Sequence, residues 1–134
     1  MSGFVPLRLA LPYLYDKGSG EAMTRYSRRE NIMRIDFFDD TLIKFIGSLE
    51  KPTVAKVLRA IDLLEKFGHQ LDMPHSKKVA PDLFELRVRG IQEVRIFYTF
   101  SAERAVLLHG FLKKSSKIPS REQALAVQKL NRLT

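Results

Sequence analysis

The sequence predicts an α+β fold in which a small, mainly antiparallel sheet has its helices packed on one face. The first observation is the order of the elements, which is one strand, two helices, three strands and a final helix. The second is the shortness of the links between the last three strands, which favours antiparallel pairing in a meander. With 134 residues the chain is long enough to bury a core as a single domain.

The regular pattern begins with residues 33–39, MRIDFFD, which have the composition of a strand. Residues 39–49, DDTLIKFIGSL, follow with apolar side chains at helical spacing. Residues 51–68 form the clearest helix, since Pro52 suits a helix start and Gly68 suits a helix end. The apolar stripe of this helix, which we interpret as core, consists of Val54, Val57, Leu58, Ile61, Leu64 and Phe67.

The second half of the chain contains the sheet. A polar segment, residues 69–82, follows the long helix, and we interpret it as a loop of a length that is often functional. The last helix is predicted for residues 119–133, where Ser120 and Gln123 have the spacing of a capping box. Three strands are predicted between the loop and this helix: Leu83–Arg89, Glu93–Ser101 and Arg104–Lys113.

The beginning of the chain differs from the rest. Residues 15–31 are polar, contain Gly and Ser, and lack periodicity. We therefore divide the chain into an extension, residues 1–32, and a domain, residues 33–134. The extension is interpreted as flexible, or as the result of a start codon assigned too far upstream. Two prolines and an arginine interrupt the apolar residues 4–15, which we interpret as neither a signal peptide nor a membrane anchor.

The charge distribution gives the first indication of function. The chain carries a net charge of +8, and six of these excess positive charges lie in residues 83–134. A positive field concentrated in one part of a fold favours a polyanion such as RNA or DNA. The alternatives are a basic surface that only confers solubility, or one that binds an acidic protein. The chain has no cysteine, which excludes disulfides and is compatible with the cytoplasmic location that we predict.

Side-chain alternation along the strands predicts where the arginines of the sheet point. Arg87 and Arg89 share one face of their strand, and Arg95 shares a face with Phe97 in the next strand. Because burying an unpaired guanidinium is costly, we expect the helices to cover the other face. The three arginines should then form a basic platform on an uncovered face, where Phe97 offers a surface on which a base can stack. The alternative for Arg87 is a surface ion pair with Glu85.

Further candidate residues lie at the end of the third strand. Lys113, Lys114 and Lys117 are expected near the basic platform, although a solvated turn is the alternative. His109 lies within an apolar strand, a position at which histidine is more often structural than catalytic. His69 and His75 do not have the spacing of a metal-ligand pattern, so neither a metal nor another cofactor is predicted.

Three segments of the chain resemble a known family when they are taken together. These segments are MPHSKKVAPDLFELRVR, VRIFYTF and VLLHGFLKKSSKIPSRE, at residues 73–89, 94–100 and 106–122. They are similar to the HigB-like branch of the RelE toxin superfamily, which comprises toxins of bacterial and phage toxin–antitoxin modules. The resemblance extends from Met33 to about Leu133 and implies a RelE-like fold.

The resemblance also implies an activity and its partners. Toxins of this family are small endoribonucleases that cut mRNA without a metal ion, usually on the ribosome. A cognate antitoxin holds them inactive, and in the HigB branch it usually carries a helix-turn-helix domain. Basic side chains promote attack of the ribose 2′-hydroxyl on the adjacent phosphate, and fixed cations stabilise the transition state of this reaction.

The resemblance assigns roles to individual residues. Arg95 corresponds to the arginine that contacts the scissile phosphate, and Arg87 replaces a strand lysine of other members. Lys113 and Lys114 lie near the position of the arginine that acts at the leaving group. We also expect a second group of residues to bind RNA, namely Arg89, Lys77, Lys78, Lys117 and Phe97.

The sequence departs from the family pattern at one functional position. No tyrosine follows Tyr98, so the catalytic tyrosine of other members has no counterpart. His109 is a possible acid or base in its place. Two alternative functions therefore remain open. The first is a non-catalytic module that binds RNA or an antitoxin, and the second is a basic structural protein of phage origin.

Overall fold

The computed structural model describes residues 3–18, 33–117 and 119–133. Its architecture is α+β, as predicted, and within these residues it contains a six-stranded sheet. In chain order the elements are β1 (Val5–Pro6), α1 (Leu7–Lys17), β2 (Arg34–Phe37), α2 (Asp40–Gly47), α3 (Lys51–Phe67), β3 (Ser76–Ala80), β4 (Leu83–Val88), β5 (Val94–Ser101), β6 (Arg104–Leu112) and α4 (Ser120–Asn131).

The strand order across the sheet is β1-β2-β6-β5-β4-β3. Strands β4, β5 and β6 pair antiparallel as a meander, which confirms the prediction from their short links. Strand β2 pairs parallel with β6, whereas β1 and β3 pair antiparallel at the two edges. The sheet is therefore mainly antiparallel, with β6 in its interior.

One face of the sheet is covered by α1, α2 and α3, and the main hydrophobic core lies between this face and the helices. On α3, Val54, Val57 and Leu64 are fully buried, which confirms most of the predicted stripe. Phe67 is the exception, because it lies at the exposed end of the helix. None of the described helices is both long enough and apolar enough to cross a membrane.

The opposite face of the sheet is covered in part by α4, which packs on β6 and β5. Ala126 of α4 is buried there against a second apolar cluster that includes Phe97, Val106 and Leu108. The prediction that all helices lie on one face is therefore wrong for α4. The physical reason is that β6 is apolar on both faces, so both need a cover that excludes water.

Residues 69–82 are more regular than the predicted loop. Ser76–Ala80 form the edge strand β3, which pairs with β4. Ser76 is buried and its hydroxyl hydrogen-bonds the hydroxyl of Tyr98, whereas Lys77 and Lys78 are exposed. Lysines on an edge strand are a common protection against pairing with other chains, and they also concealed the strand from sequence analysis.

Residues 5–17 are folded against the rest of the chain. Strand β1 pairs with β2, and α1 buries Leu7, Leu11 and Leu14 in the main core. The expectation that the extension is flexible is therefore wrong for these residues, because their apolar side chains contribute to the core. Residues 19–32, the remainder of the expected flexible segment, lie outside the described residues, and a domain boundary at residue 33 stays a prediction.

Candidate functional site

The arginines predicted to form an open platform have very different environments. Arg87 and Arg95 lie directly opposite each other on β4 and β5. The Arg95 side chain is only 3% exposed and that of Arg87 18%, whereas that of Arg89, just beyond the end of β4, is 66% exposed. The prediction that all three emerge on an uncovered face is therefore wrong, most clearly for Arg95.

The three arginines are paired with acidic side chains in an arginine–glutamate network (Glu85, Arg87, Arg89, Glu93 and Arg95). Oε1 of Glu85, a residue that is itself buried, lies 3.7 Å from Nε of Arg87 and 3.6 Å from Nε of Arg95. Oε1 of Glu93 lies 3.4 Å from Nη2 of Arg95 and 3.8 Å from Nε of Arg89. The network consequently links β4 to β5 through charges that compensate one another.

The network explains how Arg95 can be buried without an unpaired charge. Its Nη1 donates a hydrogen bond to the carbonyl of Val94 at 3.0 Å, and the carboxylates of Glu85 and Glu93 balance its charge. A charge removed from water needs such partners, since its desolvation costs several kcal/mol. Most of the positive charge of the network is therefore neutralised internally.

Glu93 is the more accessible acid of the network, and its pKa is lowered from the ordinary value. Burial acts in the opposite direction and would raise this pKa. The hydrogen bond from the backbone N–H of Gly90, together with the positive charges of Arg95 and Arg89, outweighs burial. Glu93 is thus kept ionised, as a counterion of the arginines must be.

Phe97 has no access to a ligand in this structure. Its side chain is fully buried in the cluster beneath α4, where its ring stacks on Phe111 with the ring centroids 5.7 Å apart. The prediction that Phe97 stacks on an RNA base is therefore wrong. Strand alternation identified its face correctly, but it did not reveal that α4 covers this part of the face.

His109 is bonded to a residue that the sequence did not single out. Its Nε2 lies 2.6 Å from Oε1 of Glu122, in the first turn of α4. Both side chains are partly exposed. The sequence indicates a helix start around Ser120, but a contact between residues 109 and 122 depends on how α4 docks on the sheet. The pair therefore became visible only in the structure.

A cleft of about 500 Å³ lies where β6 ends and α4 begins. Lys114 at its rim is exposed to solvent, as is Lys117. The backbone N–H of Lys113 donates to the carbonyl of Glu93 at 2.7 Å, so the lysine segment begins beside the arginine–glutamate network. The cleft is lined by Phe45, Gly110, Phe111, Leu112, Lys114, Ser115, Pro119 and Glu122.

The lysines of β3 lie beside β4, on the far side of the meander from the cleft at the end of β6. Lys77 is opposite Glu85 in the β3–β4 pair, and Lys78 is opposite Phe84. Because successive side chains alternate, Lys77 shares the face of the arginine–glutamate network and Lys78 points to the other face. The ammonium of Lys78 lies 5.9 Å from the centre of the Phe84 ring. Both lysines are free to meet a ligand from solvent.

Among the described residues, no three His, Asp or Glu side chains come together as a potential metal site. His69 instead packs its ring against Phe100, with ring centroids 3.9 Å apart. The site that the structure offers is therefore built from cations, an imidazole–carboxylate pair and a shallow cleft. Such groups can bind a phosphate and transfer a proton.

Comparisons with known proteins place the chain in a family. A search of curated proteins finds no match. A family model described as "Phage derived protein Gp49-like" matches residues 44–131, which include α3, the meander and all of α4. This family is associated with toxins of toxin–antitoxin modules of the RelE and HigB kind. Since the match covers most of the chain, the protein belongs to the family of phage-derived Gp49-like proteins.

Proposed function

We propose that this protein is the HigB-like toxin of a type II toxin–antitoxin module and that it cuts mRNA on the ribosome without a metal ion. The observation that carries the proposal is a set of exposed cations on two sides of the arginine–glutamate network, in a chain of the Gp49-like family. These cations are Lys77, Lys78, Arg89, Lys114 and Lys117. Exposed lysine and arginine side chains are the groups that contact nucleic-acid phosphates.

Arg87 is the arginine of the network that we assign to the scissile phosphate. Its side chain is partly exposed, and its Nη1 lies 3.4 Å from Sδ of the exposed Met73. A phosphate can displace such a weak partner at little cost. Because a guanidinium hardly loses its proton, Arg87 acts by stabilising charge on the phosphorane and not as a base.

Arg95 has a different role in this proposal from the one that the family resemblance implies. It is too buried to touch a substrate, so it is a positioning residue that acts through Glu85 on Arg87. Lys113 and Lys114 remain the candidates for stabilising the leaving group, because they lie at the rim of the cleft or next to it. The 2′-hydroxyl as nucleophile restricts the reaction to RNA.

The proposed partners follow from the same surface. A cognate antitoxin, with a helix-turn-helix domain as in the HigB branch, would block access of RNA to the cations, and both proteins would act in the cytoplasm. An antitoxin that presents acidic side chains would compete directly with the phosphates. The surface thus serves both the substrate and the inhibitor.

A second function is favoured by one specific observation. Arg95 is tied to Glu85 and Glu93, and His109 is tied to Glu122, so two of the residues expected to be catalytic already have partners within the chain. A module that binds RNA or an antitoxin but cuts nothing would have the same surface. The two functions differ in one measurable property, which is cleavage.

The decisive experiment incubates purified protein with mRNA-programmed ribosomes and determines the end groups of the fragments. We expect a 2′,3′-cyclic phosphate on the upstream fragment, because the nucleophile is tethered beside its phosphate. Cleavage should persist after chelation of free metal under conditions that keep the ribosomes intact. A 5′-phosphate on the downstream fragment would contradict the mechanism, and binding without any cleavage would establish the non-catalytic module.

Two variants make the experiment specific. Arg87→Met should lower the cleavage rate by on the order of a hundredfold, since it removes a fixed cation from the transition state. Lys44→Met is the matched control, because Lys44 is an exposed cation of α2 that pairs with Asp40 on the same helix. It should cut at the wild-type rate. Circular dichroism should establish that both variants are folded.

A further inference from the structure

His109 and Glu122 form an imidazole–carboxylate pair that connects β6 with the first turn of α4. An ionised carboxylate can only accept hydrogen bonds, so the atom facing Oε1 of Glu122 must be a protonated Nε2. In the neutral imidazole the lone pair then lies on Nδ1. The contact with Glu122 therefore fixes the tautomer of His109 and leaves Nδ1 as the atom that can take up a proton.

A β-bulge directs His109 toward α4. Along β6, Leu107 is opposite Tyr98 and His109 is opposite Phe97, so Leu108 is an extra residue in this strand. Without the extra residue, alternation would turn His109 to the face of Leu107, which packs in the core beneath α1, α2 and α3. Bulges that re-aim one side chain are common next to active sites. Here the bulge places the imidazole on the face where Glu122 lies.

The pair lies beside the cleft between β6 and α4. Glu122 lines this cleft, and so does Phe111, whose ring is stacked on the ring of His109 with centroids 6.5 Å apart. Lys114 lines the same cleft and offers an exposed ammonium for a phosphate. His109 does not line the cleft itself, but its carboxylate partner Glu122, its stacking partner Phe111 and the cation Lys114 do.

We propose that His109 is the general base of RNA cleavage, that Glu122 is its positioning residue, and that Lys114 binds an RNA phosphate in the neighbouring cleft. The proposal rests on the proposed function. In the reaction the O2′–P bond forms and the P–O5′ bond breaks. The 2′-proton passes to Nδ1 of His109, the 5′-oxygen takes up a proton from water, and His109 then returns its proton to the solvent.

Other contacts besides the His109–Glu122 pair also hold α4 to the rest of the fold. Ala126 is buried against the sheet, and the ammonium of Lys129 donates to the carbonyl of Leu108 at 3.0 Å and lies 3.3 Å from Asp39. The bond to Leu108 holds the same helix to the same strand, and the ion pair with Asp39 ties it to the start of α2. A carboxylate that orients an imidazole and stabilises the imidazolium has an additional, catalytic value.

Steady-state kinetics on programmed ribosomes test the proposal. His109→Ala should lower kcat by on the order of a hundredfold while KM changes little, because proton transfer and not binding is lost. Glu122→Ala should lower kcat by a smaller factor, and Glu122→Gln should restore part of the loss, since its amide oxygen can still accept from Nε2. Lys129→Met, which weakens the docking of the same helix, is the control and should keep the wild-type kcat.

A second measurement does not depend on activity. ¹⁵N chemical shifts of the imidazole should show the Nε2-protonated tautomer of His109 in the wild type and in Glu122→Gln. Glu122→Ala should lose this preference. The same spectra establish whether each variant is folded.

The outcomes separate this inference from the proposed function. If the wild-type protein cuts no RNA, both are wrong. If the wild type cuts and His109→Ala cuts at the same rate, the proposed function stands and this inference is wrong. An unchanged tautomer in Glu122→Ala, or a Lys129→Met variant that loses as much kcat as Glu122→Ala, would overturn the role of Glu122.

Discussion

Arg87 and Arg95 are cross-strand neighbours whose Nε atoms are both within 3.7 Å of one oxygen of Glu85. Two like charges directly opposite each other on a sheet are destabilising unless a third group compensates them. Glu85 supplies this compensation from the same face, and it is buried together with Arg95. The three side chains therefore behave as a unit, so that a change in one alters the position and the stability of the others.

This relationship predicts how removal of Arg95 affects folding. Arg95→Met should reduce the free energy of unfolding by about 3–5 kcal/mol, since it leaves the buried Glu85 with fewer partners. The double variant Glu85→Gln, Arg95→Met should recover part of this loss, because it removes both buried charges. Urea denaturation followed by circular dichroism measures the free energy of unfolding of the wild type, of Arg95→Met and of the double variant. Arg89→Met is the control, and its exposed side chain should contribute less than about 0.5 kcal/mol.

If the Arg95→Met variant is as stable as the wild type, Arg95 does not hold Glu85 in place.

The same variants also test the function of Arg95. If Arg95 acts only through Glu85 and Arg87, then the double variant should regain stability without regaining cleavage. Loss of cleavage by the folded double variant would thus identify a positioning role that stability alone does not reveal.

The regular parts of the fold were predictable because their signal is local. The stripe on α3 has helical spacing, and the short links of the meander leave neighbouring strands only an antiparallel pairing. Strand alternation also grouped Arg95 with Phe97 on one face. These predictions depend on residues close together in the chain, and the structure confirms them.

The parts that the sequence did not predict depend on distant contacts. Whether the face of Phe97 is open or covered is decided by α4, which lies more than twenty residues further along the chain. Strand β3 is concealed by its lysines, and α1 is concealed by Pro12 in its interior. The pairing of His109 with Glu122 depends on a bulge that no local pattern indicates. In each case the tertiary structure overrides the local signal.

The packing of α1 predicts that the beginning of the chain stabilises the fold. Leu14 is fully buried in the main core, whereas Leu9 on the same helix is 61% exposed. Leu14→Ala should cost about 2–5 kcal/mol through lost burial and the cavity that remains. Leu9→Ala should change the free energy of unfolding by less than about 0.5 kcal/mol. Equal effects of the two substitutions on thermal unfolding would contradict the docking of α1.

The buried hydroxyl of Tyr98 predicts a loss of stability at alkaline pH. Burial raises the pKa of Tyr98, and the hydrogen bond with Ser76 lowers it by less. Since the pKa is higher in the folded state than in the unfolded state, the unfolded chain loses this proton first as the pH rises. The corresponding stability is complete below about pH 10 and is lost as the pH rises through the folded-state pKa.

Comparison of the wild type with Tyr98→Phe isolates this effect from the titration of lysines. Above about pH 10 the free energy of unfolding of the wild type should fall more steeply than that of the variant. Chemical denaturation at several pH values gives both slopes. If the free energy of unfolding falls equally steeply with pH in both proteins, Tyr98 ionises as easily in the folded protein as in the unfolded chain.

The exposed lysines predict a localised, salt-dependent RNA surface. Lys77, Lys78, Lys114 and Lys117 are exposed and lie on two sides of the arginine–glutamate network, whose own charges are mostly compensated. The logarithm of the RNA-binding constant falls linearly with the logarithm of the salt concentration. If each lysine neutralises one phosphate, removing all four should make this line less steep. The expected reduction is roughly 0.7 for each lysine on a single strand. Fluorescence anisotropy with a short RNA at several KCl concentrations measures this slope.

The matched control removes the same charge from another surface. Lys44, Lys51, Arg59 and Lys66 are also exposed, but they belong to α2 and α3, whereas the first four lysines lie on β3 or beyond the end of β6. Because the two fourfold variants have the same net charge, a general attraction between a basic protein and RNA would weaken equally in both. If the four lysines form a recognition surface, only the variant that lacks them should lose much RNA affinity and much of its salt dependence. Equal slopes in the two variants would refute the localised surface and, with it, the assignment of these four lysines to RNA binding.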